Sequence, residues 1–284
     1  MYMDPKGVFF MNIKEQMKLF HDNPVVAWHE HITGDSFSDA LEKLDVASVE
    51  KAIEVMDLYG IDTVMTSMPI LDPHCPPEVF SKANDRTYEA MKRHPGRICG
   101  QAFVNPGYIR ETLKELERCA DRGFSGIKLY HQYYMDNPAM FPMIEKCIEL
   151  DLHILMHSAK GTDWETNFMQ PRLSNGVHMA NAARRYPEAD FIMGHIGGGG
   201  DWKWSVKAIK DTPNVMADIG GSVHDRPLIE ESVAELGADR LLFATDGPWS
   251  SGISKVLGAD ISEEDKKTIL AGKKFARFAE RTAK

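Results

Sequence analysis

The chain has 284 residues, 43% hydrophobic and 26% charged, with a formal net charge of −9 at pH 7 and a pI near 5.7. That is ample apolar material for a large soluble core. The acidic balance and the absence of any basic run speak against nucleic-acid binding, and no run approaches the roughly 18 apolar residues of a membrane span.

Residues 1–24 read as an N-terminal extension with weak helical periodicity from Asn12 to Phe20, closed by Asn23-Pro24. From Val25 onward, strand and helix signals alternate. Val25–Ile32 reads as a strand, followed by a helix over Val46–Tyr59 that Gly60 stops. Then come a strand at Thr63–Met68, a Pro-rich loop at Ile70–Pro77 and a helix at Ser81–Arg93. Strand Ile98–Val104 leads to helix Ile109–Arg122, strand Gly126–Tyr130 to helix Met140–Leu150, and strand Leu152–His157 to helix Val177–Tyr186. Strand Phe191–Ile196 precedes helix Trp202–Lys210, strand Val215–Ile219 precedes helix Leu228–Leu236, and strand Leu241–Thr245 precedes a closing helix at Glu263–Glu280. Eight βα units over 25–284, several strands being apolar on both faces, predict an α/β fold: a (β/α)8 TIM barrel with a short N-terminal helical extension. A doubly wound open sheet would call for a glycine-rich phosphate turn after its first strand, where this chain has His29-Glu30-His31.

Cys75, Cys99, Cys119 and Cys147 are widely spaced with no Cys-x-x-Cys pair, which fits free thiols in a reducing cytoplasm. The opening Met1–Lys6 has no long apolar stretch behind it, so no signal peptide is expected.

Barrel chemistry sits at the carboxyl ends of the strands. Alternate strand residues share a face, so His29 and His31 project together, and two converging imidazoles suit a divalent metal. Further on, Lys128 lies in the fourth strand, His157 ends the fifth, His195 the sixth and Asp246 the eighth. Each polar group follows an apolar run at the position where a barrel places its reactive groups. Gly197-Gly198-Gly199-Gly200 lacks the lysine and spacing of a P-loop and reads as a tight turn. His21, His94, His153 and His178 lie away from the rim and read as structural or solvent-exposed.

Trp28-His29-Glu30-His31, Gly126-Ile127-Lys128-Leu129, Ile154–His157, Phe191–Gly198 and Phe243–Pro248 together resemble the amidohydrolase superfamily. The likeness is to its amidohydrolase-related group, which includes the aminocarboxymuconate semialdehyde decarboxylase type. Two departures stand out: Ala27 replaces an acidic residue usual two places before the first histidine, and Lys273-Lys274 occupy the region of a common asparagine. The resemblance implies one metal, Zn²⁺ first and Mn²⁺ or a second ion as alternatives, held by His29, His31, His157 and Asp246, with His195 as general acid/base. It gives Lys128 two readings: a carbamate bridging a second metal, or an ammonium for a substrate carboxylate. A core lysine satisfied by a neighbouring carboxylate is the plain alternative.

Trp28, Tyr130, His131, Arg172, His224, Arg226 and Trp249 are candidates for the pocket wall, with arginine the natural carboxylate clamp. The leading functional expectation is a hydrolase of a small carboxylate, amide, lactone or ester using metal-activated water. The alternative is a non-oxidative decarboxylase on the same site; a non-catalytic binding barrel would need no free His195. Expected partners are a small molecule and, as barrels often dimerise, a second copy of the chain.

Overall fold

The computed structural model describes residues 2–3, 9–10, 13–32, 45–68, 70–161, 163–196 and 198–281. Gly197, the first residue of the expected glycine turn, lies outside the described residues, as do residues 33–44. Strands β1 (Tyr2–Met3) and β2 (Phe9–Phe10) pair antiparallel ahead of helix α1 (Ile13–His21), a pairing that the helical reading of 1–24 did not include. Phe20 of α1 is fully buried and meets the Phe243 ring edge-on at 5.5 Å, so this helix is packed onto the barrel.

Eight strands follow: β3 (Val26–Glu30), β4 (Thr63–Thr66), β5 (Ile98–Ala102), β6 (Gly126–Leu129), β7 (His153–Met156), β8 (Phe191–Met193), β9 (Val215–Asp218) and β10 (Leu241–Leu242). They pair in parallel in simple sequence order. The seam between β10 and β3 is bridged by Trp28 N–H to the Phe243 carbonyl, 2.8 Å, and Asp246 N–H to the His29 carbonyl, 3.1 Å. With helices between successive strands this is a (β/α)8 barrel.

The helices are α2 (Val46–Tyr59), α3 (Pro77–Arg93), α4 (Ile109–Asp121), α5 (Phe141–Glu149), α6 (Trp164–Met169), α7 (Gly176–Arg185), α8 (Trp202–Ala208), α9 (Leu228–Leu236), α10 (Trp249–Gly258), α11 (Glu263–Ala271) and α12 (Ala276–Ala279). Helix α6 has no counterpart in the sequence expectation, and three others differ from it for identifiable reasons. Helix α3 starts four residues early because Pro77 suits the first helical turn, where no N–H is required. Helix α10 escaped notice because its start, Trp249-Ser250-Ser251-Gly252, has poor helix propensity. The expected single closing helix is broken at Gly272, whose φ of +55° ends α11 in the left-handed conformation.

Alternation along the strands separates two apolar sets. Ala27, Val64, Ile127, Ile154, Met156, Phe191 and Val215 pack outward with the helices. Val26, Trp28, Met65, Cys99, Leu155, Ile192, Met216 and Leu242 form an inner layer, and Phe275 and Phe278 from the C-terminal turns pack against it as a floor. On β3 this alternation breaks: pairing with β4 runs Ala27 to Val64 and then Glu30 to Thr66, three residues advancing against two. The extra residue is a bulge. It lets Trp28 sit in the inner layer while its neighbour His29 also faces inward, toward Asp218 and Asp246.

Candidate active site

At the carboxyl ends of the strands, the orientation of each imidazole follows from what its nitrogens face. His29 Nδ1 lies 3.0 Å from Asp218 Oδ2, and Asp218 Oδ1 accepts the backbone N–H groups of His195 (3.0 Å) and Gly220 (2.9 Å). A carboxylate surrounded by donors makes His29 the Nδ1–H tautomer, which leaves the Nε2 lone pair free. That Nε2 is buried, makes no hydrogen bond among the described residues, and faces Asp246 Oδ1 at 3.3 Å. His31 repeats the pattern. Its Nδ1 sits 2.9 Å from the Ser67 carbonyl, which can only accept, so its Nε2 faces Asp246 Oδ1 at 3.4 Å and the Tyr130 hydroxyl at 3.1 Å.

His195 Nδ1 lies 3.1 Å from Asp246 Oδ2, and its Nε2 lies 2.8 Å from His157 Nδ1. His157 in turn stacks on the Tyr130 ring at 5.0 Å. Ligand atoms of His29, His195 and Asp246 all fall within 4.8 Å of one another. His195 therefore stands as close to the carboxylate as His29 does, although the sequence set it apart from the ligands.

Burial is the largest influence on these groups. It lowers all four imidazole pKa values, His31 to about 4, with the Lys128 charge adding to the effect on His29, His31 and His157 and the His157 ring to that on His195. Neutral imidazoles keep their lone pairs for a metal. Burial also raises Asp246 and lowers Lys128, each opposed by the other's charge. Lone pairs confronting a carboxylate in a buried site require a cation or a proton between them, so this donor set fits a divalent metal.

Lys128 is fully buried; its Nζ lies 4.6 Å from the Tyr130 ring centre and makes neither a hydrogen bond nor an ion pair among the described residues. The satisfied core lysine of the plain alternative is thus not what the structure shows. His157, His195, His224 and Asp246 line a cavity of about 390 Å³ with Ser222, Pro248 and Ser251. Tyr130 reaches the cluster through His31.

Other pocket-wall candidates are placed elsewhere. Trp28 is fully buried in the floor, its ring meeting Phe275 at 5.8 Å and His153 at 6.0 Å, because the β3 bulge leaves it on the inner layer below the histidines. Arg172 donates to the Gln132 carbonyl at 2.6 Å and lies over the Tyr133 ring at 5.9 Å, held on the loop after β6. Arg226 is exposed and lines a separate cavity of about 270 Å³, which it shares with His224. Trp249 lines a third cavity, about 630 Å³, with His31. His131 is buried beside Arg172, whose charge adds to burial in lowering its pKa. His178 completes a capping box with Asn175, and His153 lies in the floor, so both are structural.

Two site residues were not picked out from the sequence. Asp218 ends β9 just as His157 and His195 follow β7 and β8, and the strand-end rule would have found it. Glu30 sits inside the His-Glu-His motif, and its carboxylate accepts from Thr245 N–H (2.9 Å), the Thr245 hydroxyl and Gly247 N–H (3.4 Å). Glycine at 221 is required twice over: φ is +78°, and a Cβ there would lie 2.9 Å from His195 Nδ1.

The sequence profile of the amidohydrolase family matches residues 64–272. The chain belongs to the amidohydrolase family. Gamma-resorcylate decarboxylase of a Polaromonas species is 26% identical over 275 aligned positions, covering 78% of this chain and 84% of the relative. The 2-amino-3-carboxymuconate-6-semialdehyde decarboxylase of Dictyostelium discoideum is 20% identical, covering 74% and 70%. Among solved structures, 5-carboxyvanillate decarboxylase of Novosphingobium aromaticivorans with bound manganese superposes with a TM-score of 0.70 at 18% identity, covering 90% and 98%. Like its family, this chain is an enzyme of the hydrolase or decarboxylase kind. No helix among the described residues is long and apolar enough to cross a membrane.

Proposed function

We propose that the chain is a metal-dependent, non-oxidative decarboxylase of a small unsaturated or aromatic carboxylate. The observation that carries this reading is the buried confrontation of His29 and His31 lone pairs with the Asp246 carboxylate, beside a cavity fit for one ring. The relatives named above, alike over most of the chain, are decarboxylases. Hydrolysis, placed first from the sequence, rests on the superfamily alone.

His29, His31, Asp246 and His157 or His195 would hold the ion. The imidazole-rich set suits zinc, with manganese, carried by the structural neighbour, as the second choice. When bound it would supply Lewis acidity to a substrate oxygen. The chain's own residues do the rest. Loss of carbon dioxide breaks a carbon–carbon bond and leaves an electron pair on the ring or alkene carbon, which must receive a proton. The Asp246–His195 pair, 3.1 Å apart at the cavity wall, is placed to hold that proton and deliver it to the carbon. His157, 2.8 Å from His195 Nε2, can resupply it. Lys128, buried with no carboxylate within ion-pair distance among the described residues, sets positive potential beneath the site for the substrate's charge. All four cysteines are buried free thiols, which supports the cytoplasmic compartment.

The test is elemental analysis of the purified protein, followed by a panel of hydroxybenzoates, carboxymuconate-type acids, lactones and amides. Carbon dioxide release in step with substrate loss, with deuterium from D₂O entering the vacated carbon, is the expected result. Turnover of lactones or amides alone would return the chain to the hydrolases.

A further inference from the structure

Three residues other than glycine have positive φ among the described residues, and two of them are His195 (+58°) and Asp246 (+53°). The left-handed region is unfavourable for residues with a Cβ, and such outliers persist only where surrounding contacts enforce them. Each of these two is flanked by one buried carboxylate bonded to backbone N–H groups. Asp218 Oδ1 accepts the N–H of His195 itself and of Gly220. Glu30 accepts Thr245 N–H and the Thr245 hydroxyl on Oε1, and Gly247 N–H on Oε2, thereby gripping the chain on both sides of Asp246. Asp246's own N–H is bound to the His29 carbonyl at 3.1 Å. Both carboxylates are buried, and neither has a Lys or Arg within ion-pair distance among the described residues. Removing a carboxylate from water without a cation is costly, so their retention calls for a role.

We infer that Glu30 and Asp218 are positioning residues: each locks one strained backbone so that the His195 ring and the Asp246 carboxylate meet the lone pairs of His29 and His31. The grip acts through the main chain, and only Asp218 also touches a metal-facing ring, at His29 Nδ1. The inference rests on the metal-site reading above. It goes beyond that reading in assigning the site's shape to two side chains outside the ligand set.

The experiment compares wild type with E30Q, D218N and T245V for Zn²⁺ and Mn²⁺ affinity by chelator competition, for kcat at saturating metal, and for amide exchange. In E30Q one carboxylate oxygen becomes an NH₂ that faces an N–H, so the grip fails at Thr245 or Gly247 without loss of volume. Metal affinity is expected to fall about 10- to 100-fold in E30Q and D218N, the range known for groups that orient ligands from behind. It should fall less in T245V, which keeps the backbone bond and serves if E30Q does not fold. At saturating metal kcat stays reduced, and amide exchange at Gly247 (E30Q) and His195 (D218N) accelerates at least about tenfold. A lower melting temperature with unchanged affinity, kcat and exchange would reduce both residues to scaffolding, and a T245V variant indistinguishable from wild type would do so for Glu30. A wild type that binds neither ion refutes the metal reading instead; the exchange rates then decide the positioning claim alone.

Discussion

Two clusters of buried rings occupy this barrel, one at each end, and the surroundings of their imidazoles differ in kind. At the floor, His153 is enclosed by the rings of Trp28, Phe275 and Phe278, and its Nε2 accepts a 2.9 Å bond from the Gln101 amide. The partner of that nitrogen is neutral, and burial pushes the ring's pKa down to about 3. At the mouth, His29, His31 and His195 each face the Asp246 carboxylate, and His157 faces His195. Both clusters are desolvated. Only the mouth turns lone pairs and negative charge toward a common point. Burial of histidine therefore says little about function until the partners of each nitrogen are known.

The contrast can be broken most forcefully at Asp246. In Asp246→Ala, bound metal should drop from about one ion per chain to near zero, with turnover down roughly 10³-fold or more; elemental analysis and steady-state rates check both. His195→Ala should cost about 10²- to 10⁴-fold in kcat, the usual worth of a proton-transfer group. Its metal content separates two arrangements: retention of the ion leaves His195 as acid/base, and complete loss makes it a ligand. At the floor, Phe278→Ala should remove about 3–5 kcal/mol of stability, as large aromatic deletions do, and leave metal stoichiometry unchanged in denaturant and metal titrations.

The smallest effect is at His153. His153→Leu should cost about 1–3 kcal/mol through the stranded Gln101 amide. It should also flatten the dependence of stability on acid. The folded ring resists protonation down to about pH 3, whereas the unfolded ring titrates near its ordinary value of about 6.5. Between these values the unfolded state binds the extra proton, so His153 lowers stability as pH falls, by at most about 1.4 kcal/mol per pH unit. Denaturant midpoints at pH 7, 6, 5 and 4 should show a shallower decline in the variant. A parallel decline would mean that His153 is not the group being charged.

Much of this was legible without coordinates, for physical reasons that also mark where legibility stops. A two-residue period followed by an abrupt polar group identifies the open end of a parallel barrel, so His29, His31, His157, His195 and Asp246 could be assigned to one rim. The same rule applied to Val215–Ile219 would have yielded Asp218. Trp28 was misplaced because a bulge reverses parity within β3, and no composition signal marks that extra residue. Arg172 and Arg226 were misplaced because they sit on loops, whose path is set by tertiary contacts such as the Gln132 carbonyl. Glu30 was hidden for a different reason: its partners lie 215 and 217 residues away, across the closing seam.

The bulge on β3 also makes the first strand intolerant of length change. Substitution of a small apolar residue there alters packing, whereas deletion of Trp28 would restore regular pairing, put His29 opposite Met65 in the place of the indole, and so draw it down into the inner layer away from Asp246. Lineages that keep this chemistry should accept insertions and deletions in many surface loops yet preserve the spacing across this one short segment.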